Sequence, residues 1–191
     1  MAFVLPYREL PGAISARALE EHYKLYLGYG EMLGRVEKAL VTAERPEKHL
    51  ADSPFSGALW GQSYALGGVL LHELFFSSLT TSTNRIMLLL GIEAAIERKW
   101  GSQEAFLRDL RAVALSVRGW AVLALKDGTT DGLRIIGLDA HDLGAVFGYR
   151  PLLAIDVFEH AYWADHYTNR AAYLDQLLPY INWVAVEARY R

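Results

Sequence analysis

The stretch Asp156-Val-Phe-Glu-His-Ala-Tyr162 sets a carboxylate and an imidazole four residues apart. That spacing brings both groups to one ion if the segment is helical or tightly turned. The apolar run Pro151 to Ile155 ends directly at Asp156 and reads as a strand, and beyond the stretch the pattern is helical to Tyr190.

Working back from there, Gly119 to Leu125 is short, apolar and strand-like, and Leu133 to Leu138 is a second strand. Asp127-Gly128 and Asp131-Gly132 between them are turn signals. Ile86 to Lys99 and Ser102 to Val117 read as two helices joined at Trp100-Gly101, the second capped by Ser102. Thr81-Ser-Thr-Asn84 separates these elements from an all-helical first half. There, Ser15 caps a helix to about Leu40, with His22, Tyr26, Tyr29, Leu33, Val36 and Leu40 on one face. A polar loop from Glu44 to Pro54 leads to a second helix, roughly Leu59 to Leu79. Gly67-Gly68 inside that helix costs about 1 kcal/mol per glycine relative to alanine, which points to close backbone approach. The expected fold class is α+β: an N-terminal α-hairpin (residues 1–82), then a unit of helices around a small antiparallel three-stranded sheet (residues 83–191).

The 191 residues are 52% apolar and 21% charged, enough for a buried core and too apolar for disorder. A net charge of -3 lacks the basic surplus that nucleic-acid binding requires. The absence of cysteine excludes disulfides and thiolate ligands. Met1 to Gly12 does not read as a secretion signal, and the longest apolar stretch, Ile86 to Ile96, is interrupted by Glu93 and too short to span a membrane. A soluble, cytoplasmic protein is expected.

Six histidines occur, at 22, 49, 72, 141, 160 and 166. A redox-active metal site of the harder kind wants imidazole and carboxylate, which this chain has. His22 lies on the inward face of the first helix, and His72 sits in an apolar context, Leu70 to Phe76. Yet a lone histidine on an apolar face is more often a hydrogen-bonded core residue. An Asp and a His four apart on a helix are usually a solvated or salt-bridged pair. Spacing leaves both readings open.

The chain resembles the iron/manganese superoxide dismutases. Asp156 to Tyr162 looks like the DVWEHAYY signature of that family, with Phe158 where the family has tryptophan. Leu5-Pro-Tyr7, Ile14 to His22, Gly101 to Phe106, Gly119-Trp120, Arg170 to Leu174 and Asn182-Trp183 match in order along nearly the whole chain. The resemblance implies one iron or manganese ion per subunit, held by His22, His72, Asp156 and His160, with a solvent molecule as fifth ligand. It implies ping-pong dismutation of superoxide to dioxygen and hydrogen peroxide in a homodimer or homotetramer, with no nucleic-acid or membrane partner.

Further roles are carried over in the same way. The helix position four before His72, glutamine in some members, is Gly68, which makes His141 the expected partner of the bound solvent. Glycine with histidine resembles iron-using and metal-tolerant members, so iron, or either metal, is favoured. Trp120 remains where an active-site tryptophan is expected, whereas Phe76 and Phe158 replace two others. Glu159 matches a glutamate that reaches a ligand histidine across the dimer interface. Arg170 matches an arginine near the substrate funnel, with an interface salt bridge as its other reading.

The gateway departs from the pattern. The family's histidine four after the first ligand is Tyr26 here, and its tyrosine eight after is Gly30. Tyr29, seven after His22, takes the gateway hydroxyl on a one-residue shift, or is packing only. Trp163 replaces the tyrosine that contacts the partner's gateway histidine, so both members of that pair have changed. His49 and His166 are assigned no metal role. Two readings compete with a dismutase: a diverged, metal-binding or structural member of the fold, and a different non-haem metal reaction, for which the sequence offers no nucleophile or second metal.

Overall fold

The computed structural model describes residues 2–47, 51–82, 91–143 and 147–191. Two long helices open the chain, α1 (Ala16–Thr42) and α2 (Pro54–Ser77), packed against each other as a hairpin. Ser15 caps α1 as expected, its Oγ accepting from the Ala18 N–H at 3.2 Å. Helix α2 starts five residues earlier than the apolar pattern indicates. Ser53 caps it by accepting from the Ser56 N–H, and Pro54 occupies the first turn, where its missing N–H costs nothing.

Next come α3, described from Gly91 to Trp100, and α4 (Gln103–Ser116), capped by Ser102. Residues 83–90, which carry the expected boundary between the halves and the start of the helix placed at Ile86, lie outside the described residues, as does His49. Three strands follow: β1 (Trp120–Lys126), β2 (Leu133–Leu138) and β3 (Tyr149–Asp156). They form an antiparallel sheet in the order β2-β1-β3. Strand β3 begins before the apolar run because Tyr149, Arg150 and Pro151 pair with Lys126, Leu125 and Ala124. Pro151 is tolerated there because β3 is an edge strand. The chain ends in α5 (Glu159–His166), α6 (Arg170–Leu177), a 3-10 turn and α7 (Trp183–Tyr190).

The fold is α+β, as the sequence indicates. Central strand β1 is buried from Trp120 to Leu125, and its register sets Trp120 opposite Asp156. The same core takes in the His22 and Tyr26 face of α1 and Phe75 and Phe76 of α2. One continuous core thus fixes the hairpin against the end of β3, which is what positions the site. Among the described residues, no helix is long and apolar enough to cross a membrane.

Candidate metal centre

His22 on α1, His72 on α2, Asp156 at the end of β3 and His160 in the first turn of α5 converge. Their donor atoms all lie within 4.8 Å of one another. The Nε2 atoms of His22 and His160 are each 3.1 Å from Asp156 Oδ2, and that of His72 is 3.7 Å away. With metal–ligand bonds of about 2.1 Å, donors at a right angle sit about 3.0 Å apart and donors at 120° about 3.6 Å. The spacing suits a single ion.

The hydrogen bonds around the cluster point the same way. His72 Nδ1–H donates to the Gly68 carbonyl at 2.6 Å, which leaves Nε2 without a proton. That Nε2 is buried and has no hydrogen-bond partner among the described residues. A buried acceptor left unpaired costs about 1–3 kcal/mol, and a cation at the cluster removes that cost. Asp156 is oriented through its other oxygen, Oδ1, which accepts from the Phe158 N–H at 2.9 Å. Its backbone carbonyl accepts from the Tyr173 hydroxyl at 3.0 Å.

Protonation follows from burial and charge. Burial holds His72 down to about 3, so its ring is neutral at neutral pH, as a ligand must be. Burial also lowers His22, against the opposing pull of Asp156. Burial alone pushes the Asp156 carboxyl up, but His160 and His22 outweigh it and hold the group well below the usual carboxylate range. For His160, burial lowers the pKa and Asp156 raises it, and the carboxylate wins. One anion among three imidazoles, without any thiolate, is a donor set for iron or manganese. Phe75, Phe76, Phe158 and Trp120 wall the cluster with apolar rings.

A second network abuts the first. Trp120 Nε1–H donates to His141 Nδ1 at 3.0 Å. Indole N–H is only a donor, so His141 carries its proton on Nε2 and donates it to the Tyr29 hydroxyl oxygen at 2.8 Å. Burial lowers His141 to about 4, consistent with a neutral ring. The Tyr29 hydroxyl is raised above its ordinary value, first by burial and then by the adjacent Tyr64 phenol. Both nitrogens of His141 are thus taken up by Trp120 and Tyr29.

The glycine pair explains how these groups fit. A Cβ on Gly68 would lie 2.8 Å from the Tyr29 ring, so that ring fills the space of a side chain at 68. A Cβ on Gly67 would lie 2.2 Å from the His141 carbonyl oxygen. The close approach read from Gly67-Gly68 is therefore to residues 141 and 29.

The remaining residues singled out from the sequence divide. Tyr26 is buried, accepting from the Phe3 N–H at 2.7 Å and donating to Glu73 at 2.8 Å. Glu159 and Trp163 are exposed on α5. Arg170 donates to the Val117 carbonyl at 2.7 Å and lies over the Tyr162 ring, so its guanidinium is held within the subunit. His166 is not among the clustered donors; its Nε2 is 2.8 Å from the Ala13 carbonyl. Sequence reasoning missed Tyr64, whose ring is 4.7 Å from that of His141. The spacing Tyr64, Gly68, His72 along one helix face is the signal that carried it.

Residues 90–189 match the family described as iron/manganese superoxide dismutases, C-terminal domain. The chain is 32% identical over 181 residues to the iron superoxide dismutase of Aquifex pyrophilus, covering 93% of this chain and 84% of that one. It is 31% identical over 189 residues to manganese superoxide dismutase 2 of Haloferax volcanii, covering 97% and 92%. Similarity thus extends to relatives named for either metal.

Proposed function

Since the chain belongs to the iron/manganese superoxide dismutase family, we propose that it dismutates superoxide at one iron or manganese ion per subunit, held by His22, His72, Asp156 and His160. The observation that carries this reading is the buried, unpartnered His72 Nε2 aimed at the carboxylate that His22 and His160 also face. The bound ion supplies one-electron redox chemistry, by which one superoxide is oxidised to dioxygen and another reduced to hydrogen peroxide in ping-pong order.

The chain's own residues do the rest. Asp156 contributes the anionic donor, fixed by the Phe158 N–H. The aromatic wall excludes water and so strengthens electrostatics inside the site. Peroxide formation consumes two protons, and Tyr29 is the phenol next to the cluster that can hand one on, with Trp120 fixing the tautomer of His141 and His141 fixing the oxygen of Tyr29. Gly68 with His141 favours iron, or use of either metal.

The protein works as a homodimer or homotetramer, with exposed Glu159 and Trp163 on the contacting face and Glu159 reaching a ligand histidine of the partner. Residues 1–82 and 83–191 act as two units bridged by the ion. It works in the cytoplasm. Metal content and superoxide consumption measured on one purified sample, then after reloading with iron and with manganese, test the reading. Activity that follows one metal names the cofactor, and activity with both makes the enzyme metal-tolerant. Full occupancy with no rate above that of the free ion leaves a metal-binding protein on this fold and overturns the dismutase.

A further inference from the structure

The phenol at position 26 occupies the helix turn next to the cluster, but its hydroxyl is committed to Phe3 and Glu73. Phe3 is clasped a second time, its carbonyl accepting from Tyr23 at 2.5 Å, and its ring stacks near Phe76. The N-terminal segment thereby covers that side of the site, and the Tyr26 hydroxyl proton is directed to Glu73.

On the other side the donor accounting is incomplete. Tyr29 accepts from His141 Nε2–H, so its own hydroxyl proton is still free to be donated. Two directions are open to it. Inward, its ring lies 5.3 Å from that of His72. Outward, its ring meets that of Tyr64 edge-on at 6.0 Å. Tyr64 is half-buried and stacks at 5.3 Å on Trp60, which is 60% exposed. Tyr29 is itself half-buried, and Tyr64 stands between its ring and the exposed Trp60.

We propose that Tyr64 is a positioning and proton-relay residue of the dismutase reaction, connecting the Tyr29 hydroxyl to solvent. The step balances without a further reagent. The Tyr29 O–H bond breaks as its proton passes to the reduced dioxygen. Tyr29 is re-formed by the Tyr64 hydroxyl proton, and Tyr64 by a proton from water. His141 keeps its proton throughout and serves to hold the Tyr29 oxygen still. The inference rests on the dismutase reading and adds a second phenol to it.

Tyr64→Phe is the decisive variant, because the ring contacts with Trp60 and His141 survive and only the hydroxyl goes. With iron or manganese loaded to the parent level, the saturating rate is expected to fall about tenfold, less than for a group that touches the reacting atoms. Its solvent deuterium isotope effect rises, and kcat/KM stays the same. A readout independent of turnover is exchange of the Tyr29 hydroxyl proton with solvent in the metal-free protein, followed by NMR through the deuterium isotope shift on its Cζ carbon. Exchange slows several-fold in Tyr64→Phe if Tyr64 is the way out. An active parent whose Tyr64→Phe variant matches it in rate, isotope effect and exchange overturns the proposal alone. A loaded parent that leaves superoxide untouched overturns the dismutase reading, and the proposal with it.

Discussion

His72 divides its two ring nitrogens between the fold and the metal: Nδ1–H is held by the Gly68 carbonyl, and Nε2 is left facing Asp156. His72→Ala removes a donor whose orientation the helix has already set. Asp156→Ala removes the carboxylate of the cluster, the shared neighbour of all three imidazoles. Each variant is expected to lose stoichiometric metal, by more than the roughly 10–100-fold that loss of an outer partner costs. Elemental analysis checks it, and stoichiometric metal in both would mean the ligands are misassigned. Tyr29→Phe is a different experiment. Metal stays, but His141 Nε2–H loses its acceptor in a buried site, at a cost of about 1–3 kcal/mol. The pH dependence of the rate should change, and a profile identical to the parent's would demote Tyr29 to packing.

At the scale of elements, α2 carries the site on one face, Tyr64, Gly68 and His72, and the glycine pair is where its tolerance is least. Alanine is the better helix former by about 1 kcal/mol, so propensity alone predicts that Gly67→Ala and Gly68→Ala stabilise. Packing reverses the sign. The Gly68 Cβ would push into the Tyr29 ring at 2.8 Å, and overpacking of this kind costs about 1–3 kcal/mol. The Gly67 Cβ would meet a backbone carbonyl at 2.2 Å, which yields less readily than a ring, so Gly67→Ala is the worse of the two. Urea denaturation ranks them, and Gly68→Ala should also disturb the Tyr29–His141 bond and the rate. This element also shows what could be read in advance. The need for close approach at residues 67 and 68 was visible in a helix that keeps two glycines. The approaching groups were not, because residues 29 and 141 are distant in sequence. The Ser15 and Ser102 caps were legible because each precedes its apolar pattern directly. Ser53-Pro54 does not stand out as a helix start because the amphipathic pattern of α2 is weak: both its faces are apolar. In the same way Pro151 to Ile155 marked only the buried part of β3. The four convergent residues came from the family resemblance, whose motif carries only Asp156 and His160, since spacing alone does not distinguish ligands from core histidines or a salt-bridged pair.

For the whole molecule, the cluster joins the hairpin to the C-terminal elements, so its protonation bears on global stability. His22, His72 and His141 have folded pKa values below the ordinary 6.5, to about 3 for His72 and about 4 for His141, because burial disfavours the charged ring. In the unfolded chain they take up protons as pH drops through 6.5, while in the folded protein they do not. The metal-free protein therefore loses stability below that pH, by up to about 1.4 kcal/mol per pH unit for each group. Asp156 adds a further loss only at lower pH, below the ordinary carboxylate value of 3.8. His160 has the opposite sign. Its folded pKa is raised by Asp156, so its contribution is complete below 6.5 and is lost as pH rises through the folded value. The metal-free protein is thus expected to be most stable near pH 6.5 and weaker on both sides. Metal removes the alkaline limb, because a coordinated His160 is neutral and the ion takes over the role of its proton beside Asp156. It also stabilises the folded state by mass action, about 4 kcal/mol at a free concentration 1,000 times its Kd. Below neutrality protons compete with the ion for the same nitrogens, so the loaded protein should fall more steeply than the metal-free one until both curves meet. Urea denaturation of both forms across pH 5 to 8 tests this. A metal-free curve that is flat below 6.5 would mean the imidazoles are not held neutral, and an alkaline limb that persists with metal would mean that His160 is not a ligand.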